Sequence, residues 1–145
     1  MKKEYQYIEK IRADVHNFAN LPKELKSNKS FVLKAAEVLT RQHHAFLRYV
    51  DETLKDDKEV VLKVVSMVGD GLSNASMRLR NDKEVLLAAV KRDIYSLAFA
   101  EKELQDKLRG KTSDEIFQYL ETAILEESLQ LELPKKTNEK PKSKL

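Results

Sequence analysis

The chain has 145 residues, of which 35% are charged, with 3 glycines, 3 prolines and no cysteine. This length predicts one domain with a hydrophobic core, and the scarcity of glycine favours helices over strands and phosphate-binding loops. The absence of cysteine excludes disulfides, thiolate metal sites and a cysteine nucleophile.

The charge and hydropathy patterns predict a cytoplasmic protein with a basic tail. No apolar run approaches the roughly 18 residues that span a bilayer, and the first residues, MKKEYQYIEKIRADV, lack the apolar stretch of a signal peptide. The formal net charge is +3. The excess of basic residues lies in 134–145, which has no apolar residue before its last leucine and is therefore expected to be disordered.

The first predicted element is an N-terminal helix within residues 1–24. Its apolar residues share one stripe at helical spacing: Tyr7, Ile8, Ile11, Val15, Phe18 and Ala19. A helix with a single apolar stripe is typical of the end of a helical stack.

Three similar segments follow within residues 25–110. They read LKSNKSFVLKAA at 25–36, LKDDKEVVLKVV at 54–65 and LRNDKEVLLAAV at 79–90. Such self-similarity is typical of stacked repeats. Each copy predicts an inner helix, apolar on most sides and therefore buried between neighbours.

The caps of these inner helices can be predicted from the aligned copies. The column Ser27, Asp56 and Asn81 supplies favoured N-cap residues. Three residues later, Glu59 and Glu84 would complete capping boxes in the last two copies.

A second, shorter helix is predicted after each inner helix. Its apolar columns recur at i, i+3 and i+7, which is one helical face; they are Phe18/Leu47/Leu72/Leu97, Leu21/Val50/Ala75/Ala100 and Leu25/Leu54/Leu79/Leu104. The first copy has four extra residues within 37–46. Since four residues are about one helical turn, they predict a longer helix there.

The last predicted helix, within 111–133, has two apolar stripes. It opens with a capping box from Thr112 to Glu115. One stripe contains Ile116, Phe117, Leu120, Ala123, Ile124 and Leu131, and nearly opposite lie Leu125, Leu129 and Leu133. A terminal helix needs only one apolar face, so the second stripe predicts a partner-binding surface.

Two aromatic residues are further candidates for partner contacts. Tyr49 and Phe99 occupy a column that holds Asn20 and Asn74 in the other copies. A column that tolerates asparagine is expected to be partly exposed, so these rings could anchor a partner. A half-buried packing role remains the alternative.

The segment LRNDKEVLLAAVKRDIYSLAFAEKEL at 79–104 resembles the tandem repeat of an uncharacterised bacterial and viral family, a domain of unknown function. Copies in that family read roughly L-R-N-D-K-E-V-V-L-x-A-V. The similarity is good over about 45–105 and poor over 18–44. It implies a helical fold and brings no catalytic motif.

These patterns predict an all-α single domain at 1–133, built of stacked helix pairs between terminal helices. No arrangement of nucleophile and base, paired catalytic carboxylates or metal ligands stands out, and the three histidines lack an HExxH motif. We therefore expect no enzyme activity, no cofactor and no metal. The expected function is a protein-interaction module, such as an adaptor, inhibitor or effector, whose partner is another protein or a second copy.

The alternative is binding to nucleic acid or another anionic surface. Two basic columns would align in a stack, and the tail adds more lysines; the residues are Lys26, Lys55 and Arg80, then Lys29, Lys58 and Lys83, then Lys135 and Lys136. Acidic columns between them weaken the positive field, so we prefer the protein partner.

Overall fold

The computed structural model describes residues 2–134, which form an all-α fold without a strand in that range. The α-helices are α1 (Lys2–Ala13), α2 (His16–Ala19), α3 (Lys23–Lys26), α4 (Lys29–Ala36), α5 (Phe46–Tyr49), α6 (Glu52–Lys55), α7 (Lys58–Met67), α8 (Met77–Arg80), α9 (Lys83–Arg92), α10 (Lys102–Leu108) and α11 (Ser113–Glu132). Three 3-10 helices lie at Arg41–His43, Gly69–Asn74 and Ile94–Phe99. The basic segment predicted to be disordered lies outside the described residues, except for Pro134.

The three predicted inner helices are α4, α7 and α9. They pack in chain order, α4 on α7, α7 on α9 and α9 on α11, while α1 packs on α4. A helix between two neighbours needs apolar residues on more than one side. The valines of α7 are accordingly buried: Val60, Val61, Val64 and Val65. The prediction of buried inner helices is confirmed.

The N-caps of the inner helices lie one residue later than predicted. The capping side chains are Asn28, Asp57 and Asp82, each of which accepts a hydrogen bond from the N–H three residues on. The predicted capping boxes are therefore wrong, because Glu59 and Glu84 stand two residues after the true caps rather than three.

The residues predicted as caps connect successive copies or the preceding helix instead. Asp56 Oδ1 accepts a 2.5 Å hydrogen bond from Ser76 Oγ, and Asn81 Oδ1 accepts one of 2.7 Å from the Glu101 N–H. Ser27 Oγ donates to backbone carbonyls of α3. This column therefore contributes mainly to contacts between copies.

The predicted second helix of each copy is divided into two short segments. Val50, Ala75 and Ala100 have extended backbone angles, so each segment ends there and a new one begins after it. Two of the new segments have side-chain caps, since Asp51 and Ser76 accept hydrogen bonds from nearby N–H groups. Such local side-chain bonds compete with a continuous helix.

The N-terminal region is also divided. A single helix was expected within 1–24, but α1 ends at Ala13 and Asp14 accepts a 2.9 Å hydrogen bond from the His16 N–H. This bond satisfies the N–H of the first residue of the one-turn helix α2, and Pro22 precedes the next one-turn helix, α3.

The extra residues of the first copy do not lengthen its inner helix. The inner helix α4 ends at Ala36, and the inserted segment forms a loop with the 3-10 turn Arg41–His43. His43 is buried, and its Nδ1 accepts a 2.8 Å hydrogen bond from the Thr40 N–H. This bond satisfies the Thr40 N–H, which lies outside the helical hydrogen-bond pattern.

Candidate functional site

The C-terminal helix α11 begins as predicted. Thr112 Oγ1 accepts a hydrogen bond from the Glu115 N–H at 3.3 Å, and the Glu115 carboxylate accepts one from the Thr112 N–H at 2.7 Å. These bonds form a capping box. The hydrogen bond from the Thr112 backbone lowers the pKa of Glu115 below its ordinary value. The capping box therefore fixes where α11 begins.

One side of α11 packs on α9, with the two helices running in opposite directions. Ile116 and Leu120 lie on this side of the helix and are buried. Lys91, near the end of α9, forms a 2.7 Å ion pair with Glu121, whereas Lys83, at the start of α9, pairs with Glu127. The residues of α11 after Glu127 therefore extend past the start of α9.

The opposite stripe of α11 is exposed to solvent. Leu125 and Leu129 of α11 and Leu133, the residue directly after its end, are together called the leucine face and are 64%, 60% and 66% exposed. These three leucines lie off the core, as the helical wheel predicted. Leu131 was predicted to face the core, but it is 88% exposed because α11 continues past α9 at this point.

The leucine face has an acidic rim. Helix α11 contains six acidic residues and no basic one: Asp114, Glu115, Glu121, Glu126, Glu127 and Glu132. Glu126 and Glu132 are three residues before and after Leu129, so they lie beside it on the helix surface. Both are exposed, and neither forms an ion pair with another residue in 2–134.

Tyr49 and Phe99 lie apart from the leucine face. Both are partly buried against the core, and the Tyr49 ring lies 6.0 Å from that of His16. Phe99 lines a cavity of about 300 Å³ together with polar residues that include His44 and Asp70, and no residue of α11 lines it. These aromatics therefore do not form one surface with the three leucines.

Other exposed apolar side chains were not predicted from the sequence. Tyr95 is 82% exposed, Met77 69% and Tyr5 66%. Tyr95 aligns with Asp70 of the preceding copy. By the criterion applied to Phe99, that a column tolerating a polar residue is exposed, Tyr95 could have been predicted to face solvent.

One basic column forms ion pairs between neighbouring helices. Lys29 Nζ lies 2.8 Å from Asp57 and 2.7 Å from Glu59, and hydrogen bonds to these carboxylates raise the pKa of Lys29. Lys58 contacts the N-cap aspartate and following glutamate of α9 in the same way. Lys83 has Glu127 instead. The charges of this column are thus balanced within the fold.

In the other basic column, two of the three residues have local partners. Lys26 Nζ donates a 3.0 Å hydrogen bond to the Ala19 carbonyl, and Lys55 forms an ion pair with Glu52. Arg80 is partly buried, and its Nε has no hydrogen-bond partner within 2–134. Lys135 and Lys136 lie outside the described residues. Within 2–134, the residues of the two basic columns therefore do not form a continuous ridge of positive charges without partners.

Residues with metal-binding or acid–base chemistry are dispersed. Within 2–134, no three His, Asp or Glu side chains form a group that could hold a metal ion. His16 contacts Asp14 at 2.7 Å, and the pKa of Asp56 is lowered by its hydrogen bonds to Ser76 and Arg78. The same range contains no helix with the length and apolar content required to cross a membrane.

Comparison with known proteins connects one part of the chain to a described family. No curated protein and no solved structure matches the chain. Residues 57–105 match the family model described as Domain of unknown function (DUF4116). The matched residues begin at the cap of α7 and end within α10, so they include two of the three inner helices.

Proposed function

We propose that this chain is a non-catalytic protein-interaction module that binds its partner through the leucine face. The observation that carries the proposal is the exposure of Leu125 and Leu129 on α11, and of Leu133 directly after it, while the other side of this helix is packed against α9. Single exposed leucines are common on protein surfaces, but a contiguous apolar patch is typical of an interaction site.

The position of the leucine face at the end of the packed helices supports the same proposal. A terminal helix of a stack normally presents a polar outer face, since that face meets water. In α11 the outer stripe is apolar over its last two turns, where the helix also extends past α9. An amphipathic surface of this kind suits a groove or helix of another protein.

No specific observation favours nucleic-acid binding over a protein partner. Lys29, Lys58 and Lys83 are paired with carboxylates of neighbouring helices. A phosphate group would have to displace those carboxylates, which lowers its net gain in binding energy.

The proposal is tested by affinity capture from a lysate of the native host, with half of each sample treated with nuclease. We expect the full chain to retain a protein that survives nuclease, and L125S/L129S/L133S to lose it. The matched control M77S/Y95S removes exposed apolar side chains elsewhere and should retain the protein. Capture that is unchanged in the leucine variant, or that disappears with nuclease, would contradict the proposal.

A further inference from the structure

We infer that the partner presents a basic amphipathic helix, with an apolar stripe that covers the leucine face and Lys or Arg along its borders. This inference rests on the proposed function and specifies the chemistry of the partner. It follows from the charged side chains of α11 that lie beside these leucines, Glu126 and Glu132, which are both acidic.

Several acidic residues of α11 are already engaged within the fold. Glu121 and Glu127 pair with lysines of α9, and Glu115 caps the helix start. Of the other three, Asp114 lies in the first turn of α11, far from the leucine face, whereas Glu126 and Glu132 lie one on each side of Leu129. An occupant of the leucine face would therefore have these two carboxylates at its borders.

The helix dipole adds to the negative character of this end of α11. The carbonyl end of a helix carries partial negative charge, so acidic side chains there are unfavourable and basic ones favourable. The last turn of α11 contains Glu132 and no basic residue. Cationic side chains supplied by a partner would interact favourably with both the carboxylates and the helix end.

Other occupants suit the leucine face less well. In a dimer formed through the leucine face, Glu126 and Glu132 of one copy would lie near the same two residues of the other copy. The resulting like-charge contacts oppose association. The segment 135–145 has the right charge, but its only apolar side chain is Leu145, so it cannot cover three leucines. A nucleic acid would be repelled by the acidic rim.

The test uses two synthetic helical peptides and the full chain, with binding measured by fluorescence anisotropy. Both peptides have about three heptads with Leu at positions a and d; one has Lys at e and g, and the other Glu. We expect the Lys peptide to bind at least about tenfold more tightly at low salt, and the difference to shrink as salt screens the charges.

Two variants of the chain test whether the binding occurs at this site. L125S/L129S/L133S should lose binding of both peptides, and E126K/E132K should reverse the preference from the Lys peptide to the Glu peptide. A reversed preference would support the inference, because non-specific adhesion of an apolar peptide does not depend on those two residues.

Three outcomes would overturn the inference, and they differ in what they say about the proposed function. Equal, leucine-dependent binding of both peptides would keep the interaction face and reject the charge rule. Absence of binding by either peptide would reject this partner class, and the lysate capture would then decide the proposed function separately. A dimer in sedimentation that the leucine variant abolishes would identify a second copy as the occupant.

Discussion

At Gly69 the chain passes so close to the α9 region that a side chain has little room. An ideal Cβ at this position would lie 2.7 Å from the Ala89 carbonyl oxygen and 2.9 Å from Ser96 Oγ. The carbonyl belongs to the backbone, which cannot move aside as a flexible side chain can. We predict that Gly69→Ala lowers the free energy of unfolding by about 1–3 kcal/mol, as measured by urea denaturation.

A nearby glycine provides the control for Gly69. A Cβ at Gly71 would meet only Val64 Cγ1, at 3.2 Å, so a small adjustment of one side chain would accommodate it. Gly71→Ala should therefore cost less than Gly69→Ala. Equal losses in the two variants would mean that the backbone contact at Gly69 is not the cause.

At the scale of the helices, sequence patterns predicted the inner helices but not their first residues. Asp56 and Asp57 are adjacent and equally suited to cap α7. Asp57 takes that role, while Asp56 bonds to Ser76 and Arg78 of the next copy. The choice depends on a residue about twenty positions away, and local capping preferences contain no information about it.

The short segments between the inner helices were likewise predicted only in part. Nine of the twelve residues in their apolar columns are buried, and Leu25, Leu97 and Leu104 are partly buried. The i, i+3, i+7 spacing nevertheless suggested one helix where two segments occur. The same apolar spacing also fits two short helices separated by one extended residue, because side chains of all three parts can face the core. Periodicity alone therefore did not locate the break at Ala75.

The cap of α7 makes a prediction about pH. Burial raises the pKa of Asp57, but hydrogen bonds from Lys29 and the Val60 N–H outweigh it, so the pKa lies below its ordinary value. This stabilisation is complete above the unfolded pKa of about 3.9 and is lost as pH falls through the folded value. We predict that Asp57→Asn, which keeps a capping oxygen without the charge, shows a weaker loss of stability in acid.

The measurement is urea denaturation at a series of pH values down to the acid limb. Asp114→Asn is the control, because Asp114 is exposed and forms no hydrogen bond or ion pair with other residues in 2–134. The control should keep the slope of the unmodified chain. If Asp57→Asn lost stability with falling pH as steeply as the unmodified chain, the charge of Asp57 would not contribute to the acid dependence of stability.

For the whole molecule, the sequence located the leucine face but not the end of the packed body. A helical wheel correctly separated Leu125, Leu129 and Leu133 from Ile116 and Leu120. The same wheel misassigned Leu131, because an angle around α11 does not show where along its length the contact with the start of α9 stops. Whether Lys29 is free or paired depends likewise on how neighbouring helices are aligned.

The core is one continuous cluster that extends from Ile11 in α1 to Leu120 in α11. Leu54 and Leu79 occupy equivalent places in successive copies and are 8% and 0% exposed. Replacing either with alanine should lower the free energy of unfolding by about 2–5 kcal/mol, through lost burial and the cavity left behind. Because the cluster is continuous, we predict that both variants shift one shared transition.

Urea denaturation followed by circular dichroism and by tyrosine fluorescence would check this prediction, since the chain has no tryptophan. Coincident curves from the two probes would indicate a single cooperative unit. A loss below about 0.5 kcal/mol at Leu79 would contradict its placement in the core, since surface substitutions have effects of that size. Separate transitions in the Leu54 and Leu79 variants would mean that the copies unfold independently although their buried residues are in contact.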